Sequence, residues 1–336
     1  MNLRLHVYSS RRLFEMLKRR VWKIALWMLA ACVALTAVGA CYQWYCAVQD
    51  RKTYQPVGRL YEVKGNKMHL YSDGEGETTV VFASGWGTTN PYADFSPLYE
   101  GLKQHVKIAV YDRFGYGFSD VTGKKRNIDE ITGEIHELLQ VSGQKPPYVF
   151  VGHSMGALET IRYAQRYPEE VKGILMIDGG SPEYYAHSPE LMFIPILYKG
   201  LRTTGVLRTL YHLDAFKNWA ASESNEERLL PEAQRTLNRK SMLLLAGNRD
   251  MVDEMRQSQE NAQIVLAGEK PLNLPIRVLT ADYFGKLAED RAWADSQAEL
   301  VSWSVDGKQV IVKDSSHYIH SYHPDLIIKE LLQLIE

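Results

Sequence analysis

Ser154 lies in the run Gly152-His153-Ser154-Met155-Gly156, preceded by the apolar stretch Tyr148-Val149-Phe150-Val151 and followed by residues 157–163, which suit a helix. A serine hydroxyl is a weak nucleophile at neutral pH, so it can do covalent chemistry only when a neighbouring base takes its proton. Strand, sharp turn and helix form the setting in which G-x-S-x-G presents such a serine at the end of a sheet. The turn demands a strained backbone at Ser154, and the flanking glycines have no Cβ to strike the adjoining strand and helix. The spacing therefore predicts a nucleophile elbow, and the chemistry it allows is acyl transfer through a serine ester.

Such an elbow needs a sheet beneath it. Residues 59–63 and 68–71 read as a hairpin turning at Gly65-Asn66, and 79–82 and 107–111 as short buried parallel strands with a helix over 95–105 between them. Ile128, Ile131, Ile135, Leu138 and Leu139 fall at helical spacing, with Ser142-Gly143 as the stop. The strand over 148–151, the helix after Ser154 and a strand over 173–178 continue the alternation. It predicts an α/β fold with a doubly wound, mostly parallel sheet whose sites lie at the strand C-terminal ends. From about 182 to 272 the pattern becomes wholly helical, as expected of a helical cap inserted between sheet strands. Strands over 275–280 and 309–312 and a helix over 324–334 complete the domain, which spans 57–336.

The front of the chain has a different composition. Residues 24–41 carry no charge, and the next one comes at Asp50. About 20 such residues cross a hydrocarbon core. Trp22 and Trp27 near one end and Trp44 and Tyr45 at the other suit the two interfaces, so 24–45 reads as a transmembrane helix. Arg4, Arg11, Arg12, Lys18, Arg19, Arg20 and Lys23 precede it against Glu15 alone. That bias makes 1–23 a cytoplasmic basic segment and places the main domain outside a cell membrane crossed once. The alternative is secretion after signal cleavage, since Val38-Gly39-Ala40 puts small residues before Cys41. The long basic region and long apolar run favour the uncleaved anchor.

Across 336 residues the formal net charge is −1, which leaves no footprint for nucleic acid as a partner. The three cysteines, Cys32, Cys41 and Cys46, all precede the main domain. A disulfide framework, a thiolate nucleophile and a cysteine-held zinc are thereby excluded from it. No metal-ligand spacing of histidines and carboxylates is visible, so neither metal nor cofactor is expected.

Four motifs together resemble the α/β-hydrolase fold family over about residues 57–336. Besides the elbow, Ser84-Gly85-Trp86-Gly87 is similar to the family's H-G-x-G loop, and Asp112-Arg113-Phe114-Gly115-Tyr116-Gly117-Phe118-Ser119 matches its D-x-x-G-x-G-x-S loop. Ser316-His317-Tyr318-Ile319-His320 is similar to the loop that delivers the family's histidine. The resemblance implies His317 as the base for Ser154, with His320 and His323 as competitors that support the loop and His153 packing locally. For the acid it implies Asp178, with Asp282 as the alternative. Asp282 is out of register, because the family's later acid falls three residues after a small one, where this chain has Phe284 after Ala281. An oxyanion hole is implied at the backbone amides of Trp86 and Met155, although Ser84 stands where the family usually has histidine. Asp112 and Ser119 are expected to brace their loop.

The implied activity is that of a membrane-anchored serine hydrolase cleaving a small-molecule carboxylic ester, or an amide, through an acyl-enzyme. Dehalogenation and epoxide opening on this fold need an aspartate where Ser154 stands. Two alternatives stay open: an iminopeptidase-type peptidase, with Glu223, Glu226 or Glu227 holding a substrate amine, and a catalytically silent membrane-tethered binding module. The cap's apolar run at 191–198 reads either as the cap's own core or as a lip for acyl chains.

Overall fold

Runs of β-branched and aromatic residues form one eight-stranded sheet, whose central strands are buried on both faces and satisfy their backbone by pairing with one another. The computed structural model describes residues 3–223, 229–282 and 288–336, without the side chains of 3–13, 221–223 and 288–291. The strands are β1 (Arg59–Val63), β2 (Asn66–Asp73), β3 (Thr79–Ala83), β4 (Lys107–Asp112), β5 (Tyr148–His153), β6 (Val171–Ile177), β7 (Leu272–Ala281) and β8 (Ser304–Val312). Their order is β1-β2-β4-β3-β5-β6-β7-β8. β1 pairs with β2, and β2 with β4, antiparallel; the other pairs are parallel.

A first helix, α1 (Leu3–Thr53), precedes the sheet. Between strands lie α2 (Pro91–Asp94), α3 (Tyr99–Leu102), α4 (Ile128–Val141) and α5 (Gly156–Arg166). Between β6 and β7 come α6 (Pro182–His187), α7 (Phe193–Thr203), α8 (Val206–Leu210), α9 (Asp214–Glu223), α10 (Glu232–Leu245) and α11 (Arg249–Leu266). The chain continues with α12 (Ala288–Glu299), α13 (Ile319–Tyr322) and α14 (Pro324–Ile335).

The period-two alternation of strands decides which core each residue enters. Along β5, Tyr148 and Phe150 join a core with α4 and α5, whereas Val149 and Val151 join a second core with α14. The insertion between β6 and β7 has a small core of its own, built on Leu207, Tyr211, Met242 and Leu243.

Two local expectations shift. The hairpin turns at Lys64 and Gly65, with φ of 51° and 76°, and Asn66 already pairs with Val63. Positive φ at both central residues suits the twist of a two-residue hairpin. The helix expected over 95–105 breaks into a 3-10 turn at Ser96–Leu98 followed by α3. Pro97 has no amide hydrogen to continue a helix.

The apolar front segment is one helix that runs past Trp44 and Tyr45 to Thr53. Its side chains from Phe14 to Val38 are exposed. From Gly39 onward it packs on the insertion. Gly39 and Gly205 meet backbone to backbone: a Cβ on Gly205 would lie 2.4 Å from the Gly39 carbonyl oxygen. Gln43 donates to the Leu243 carbonyl at 2.8 Å, and Arg208 donates to Gln43 at 2.8 Å and to Asp50 at 2.7 Å.

Candidate active site

The strand-turn-helix at β5 and α5 gives Ser154 a φ of 53°, a left-handed conformation that non-glycine residues adopt only when the surroundings hold them there. The glycines make this possible. A Cβ on Gly156 would lie 2.4 Å from the Ala83 carbonyl oxygen, and one on Gly152 would lie 3.1 Å from the Ala157 amide. The Ser154 amide donates to the Ile177 carbonyl at 3.3 Å, and the Ser154 carbonyl accepts from the Gly180 amide at 3.0 Å. Both bonds tie the elbow to the end of β6, where Asp178 stands.

Asp178 is fully buried and also left-handed, with φ of 44°. Its Oδ1 accepts from the Ala281 amide at 3.1 Å and from Gln297 Nε2 at 2.8 Å. Its Oδ2 accepts from Trp293 Nε1 at 3.0 Å and from His317 Nδ1 at 2.6 Å. A carboxylate in this position can orient the imidazole by accepting from its Nδ1–H. Among the described residues no hydrogen bond joins Ser154 to His317; the Ser154 side chain meets the phenol of half-buried Tyr185. Burial raises the Tyr185 pKa, with the Ser154 contact pulling it back. Tyr185 is therefore a neutral hydroxyl beside the serine.

The other histidines sit around this cluster. His153 is buried, its ring centroid 4.6 Å from that of His317, and its Nε2 donates to the His317 carbonyl at 3.0 Å. Burial, then the proximity of His317 and His320, push its pKa well below the usual range, so it is neutral. His320 is buried with Nε2 3.3 Å from Asp94 Oδ2, and His323 Nε2 is 3.2 Å from the Asp314 carbonyl. Asp282 is exposed and accepts from the Asp314 amide at 3.2 Å. The carboxylate brought to His317 is thus Asp178. Phe284, Glu226 and Glu227 and the Glu223 side chain lie outside the described residues.

The loop after β3 closes on the serine from the other side. A Cβ on Gly85 would lie 2.9 Å from Ser154 Cβ, so Trp86 follows directly on the closest approach, while Met155 leads into α5. Arg113 holds this loop from beneath. It donates to the Ser84 carbonyl at 2.7 Å and to the Gly85 carbonyl at 3.0 Å. It also pairs with Glu159 at 2.5 Å and with Glu254 of α11 at 3.5 Å, all three side chains being buried. Burial works against the Arg113 charge, but Glu159 and Glu254 outweigh it and raise its pKa well above the usual range. In the neighbouring loop Asp112 accepts from the Phe118 amide at 2.9 Å, and Ser119 Oγ donates to the Asp112 carbonyl at 2.6 Å. Both brace the loop.

A cleft of about 170 Å³ opens beside Trp86 and Tyr318, walled by Ile194 and Tyr198 of α7 and by Met242 and Met251. Larger hollows near Asp73 and Gly74 lie at the opposite end of the strands, away from Ser154. Among the described residues no group of three histidines, cysteines or carboxylates could hold a metal ion.

Sequence reasoning missed Tyr185, Trp293, Gln297 and the loop-holding role of Arg113. Trp293 and Gln297, four apart on one helix, share a face. Nothing in their spacing indicates the aspartate they meet more than a hundred residues away.

A family model described as alpha/beta hydrolase fold matches residues 78–325. The chain is 30% identical over 325 residues to the uncharacterized protein YbdG of Bacillus subtilis (strain 168), covering 92% of this chain and 95% of that one. Among solved structures, a bromoperoxidase from Bacillus anthracis is similar with a TM-score of 0.62 at 18% identity, over 82% of this chain and 99% of that one. A thermophilic esterase from Thermogutta terrifontis is similar with a TM-score of 0.61 at 14% identity, over 83% and 98%.

Proposed function

The chain belongs to the alpha/beta hydrolase fold family, and on that premise we propose that it is a membrane-anchored serine hydrolase that cleaves a carboxylic ester through an acyl-enzyme on Ser154. The observation that carries this reading is the 2.6 Å hydrogen bond between His317 and buried Asp178 at the sheet end that holds Ser154. In the proposed reaction Ser154 Oγ attacks the ester carbonyl as His317 Nε2 takes its proton. The tetrahedral oxyanion is met by the amides of Trp86 and Met155. His317 then protonates the departing alkoxide, water enters, and the same histidine activates it to release the acid and regenerate Ser154. The serine–histidine bond closes with substrate bound, as such bonds commonly tighten only then. Serine at the elbow argues against epoxide opening and dehalogenation.

The anchor is the second half of the proposal. The helix α1 is long and apolar enough to cross a membrane. Cleavage after Ala40 would cut the helix next to Gly39, where it packs on Gly205. This supports an intact anchor over a removed signal.

A fluorophosphonate probe tests the chemistry. We expect labelling of the full chain that vanishes in Ser154→Ala while the fold persists. Absence of labelling in folded wild-type protein would overturn the hydrolase reading and leave a silent binding module. Intact mass of membrane-extracted protein tests the anchor, which requires residues 1–38 to be retained.

A further inference from the structure

We infer that the cap side formed by α7 and α8 lies on the membrane surface, and that the ester cleaved at Ser154 is a long-chain acyl ester delivered from the bilayer. The inference rests on the anchored-hydrolase reading and adds its substrate class. The argument starts at Gly39. With the apolar run entering the hydrocarbon at Ile24, Gly39 lies about 23 Å along a core about 30 Å thick. It is therefore still within the span. Yet Gly39 touches the turn at Thr204 and Gly205, with no room for a Cβ on either glycine. A turn locked to a residue so near the end of the span is held at the bilayer's edge. Three further bonds secure the arrangement below it: Gln43 to the Leu243 carbonyl, and Arg208 to both Gln43 and Asp50.

The exposed residues of the docked helix suit that position. In α7, which ends at that turn, Phe193, Ile196 and Leu197 are 65%, 56% and 55% exposed. They follow i, i+3, i+4 spacing, so they form one apolar face. Leaving them in water is unfavourable, whereas the headgroup boundary accepts such a face. An adjoining face of the same helix, about 120° round, supplies Ile194 and Tyr198 to the cleft beside Trp86. One helix thus offers an apolar face to the bilayer and lines the cleft, which gives an acyl chain leaving the lipid a route to Trp86, the neighbour of the glycine packed on Ser154. The lipid surface also explains why a run that reads as cap core is exposed.

The test uses the full chain in phosphatidylcholine vesicles. A polarity-sensitive dye is placed at Phe193→Cys, with Cys32, Cys41 and Cys46 changed to serine, and spin-labelled lipids serve as quenchers. We expect strong quenching at 193 and none for the same dye at Lys145→Cys, an exposed site by the opposite strand ends. We also expect Phe193→Glu/Leu197→Glu to cut turnover of dioleoylglycerol in the vesicles at least tenfold and to leave p-nitrophenyl butyrate in solution unchanged. The label reads the surface without activity, so quenching at 193 supports the membrane-facing cap even in a protein that turns over neither ester. An unquenched label with both esters hydrolysed overturns the inference and leaves the hydrolase reading standing. Concentration-dependent shielding of the dye in detergent overturns it in favour of a second copy on this face.

Discussion

At the scale of single residues, the decisive pair is Asp178 and His317. Asp178 is buried and accepts from Ala281, Gln297, Trp293 and His317, whereas Asp282 is exposed and receives the Asp314 amide. Asp178→Asn removes the charge that orients the imidazole, so turnover should fall by about 10⁴ while the circular dichroism spectrum stays native. Asp282→Asn should keep turnover within about twofold, as expected of an exposed surface change; a larger loss would move the acid's role there. His153 gives a pH prediction. Its folded pKa lies well below the ordinary value, so between about pH 6.5 and that lower value the unfolded chain binds more protons than the folded one. Stability should therefore fall as the pH drops through this window. His153→Gln keeps a donor for the His317 carbonyl and cannot take up the proton. Urea midpoints measured from pH 7 to 5 should decline less in this variant than in wild type.

At the scale of elements, the loop after β3 depends on a charge it does not contain. Arg113, from the loop after β4, holds the Ser84 and Gly85 carbonyls and is neutralised by Glu159 of α5 and Glu254 of α11. Three elements, one of them from the insertion, thus meet under the loop whose Trp86 amide faces the reaction in the proposed mechanism. Arg113→Met leaves two buried carboxylates without their cation, which should cost about 3–5 kcal/mol in urea unfolding. It should also lower kcat more than it changes KM, since the loop's donors act mainly in the transition state. Adding Glu159→Gln should restore part of the stability but not the kcat. Full recovery of both would show that Arg113 acts only as a counter-charge.

At the scale of the whole molecule, α1 is long and apolar enough to cross a membrane and is also a part of the folded domain. Its last turns carry the buried side chain of Gln43 and the Asp50 partner of Arg208, and Tyr54 beyond it donates to the Gly117 carbonyl at 3.2 Å. A chain begun at residue 57 lacks all of these, whereas one begun at 39 keeps them. Differential scanning fluorimetry should show the shorter chain unfolding about 3–6 °C lower, equivalent to ~1–2 kcal/mol. The chain begun at 39 should match the full protein in detergent. Equal midpoints for the two truncations would mean that the docked segment adds nothing to the domain.

Much of this architecture is legible in the order of residues. The elbow around Ser154, the loops at Ser84 and Asp112 and the histidine loop at His317 are local patterns, and the strands and helices that carry them follow from side-chain period. The partners are not local. His317 and Asp178 are 139 residues apart, and Gln43 and Leu243 are 200 apart. The order of strands and the packing of helices decide such contacts, and local spacing does not encode that order. From sequence, Asp178 and Asp282 are two strand-end aspartates, each able to cap a turn. Only the fold, which puts α12 and the His317 loop over the end of β6, decides which of them meets the imidazole. In the same way the sequence marks 24–41 as apolar, while tertiary packing decides that the helix continues and fastens the cap to it.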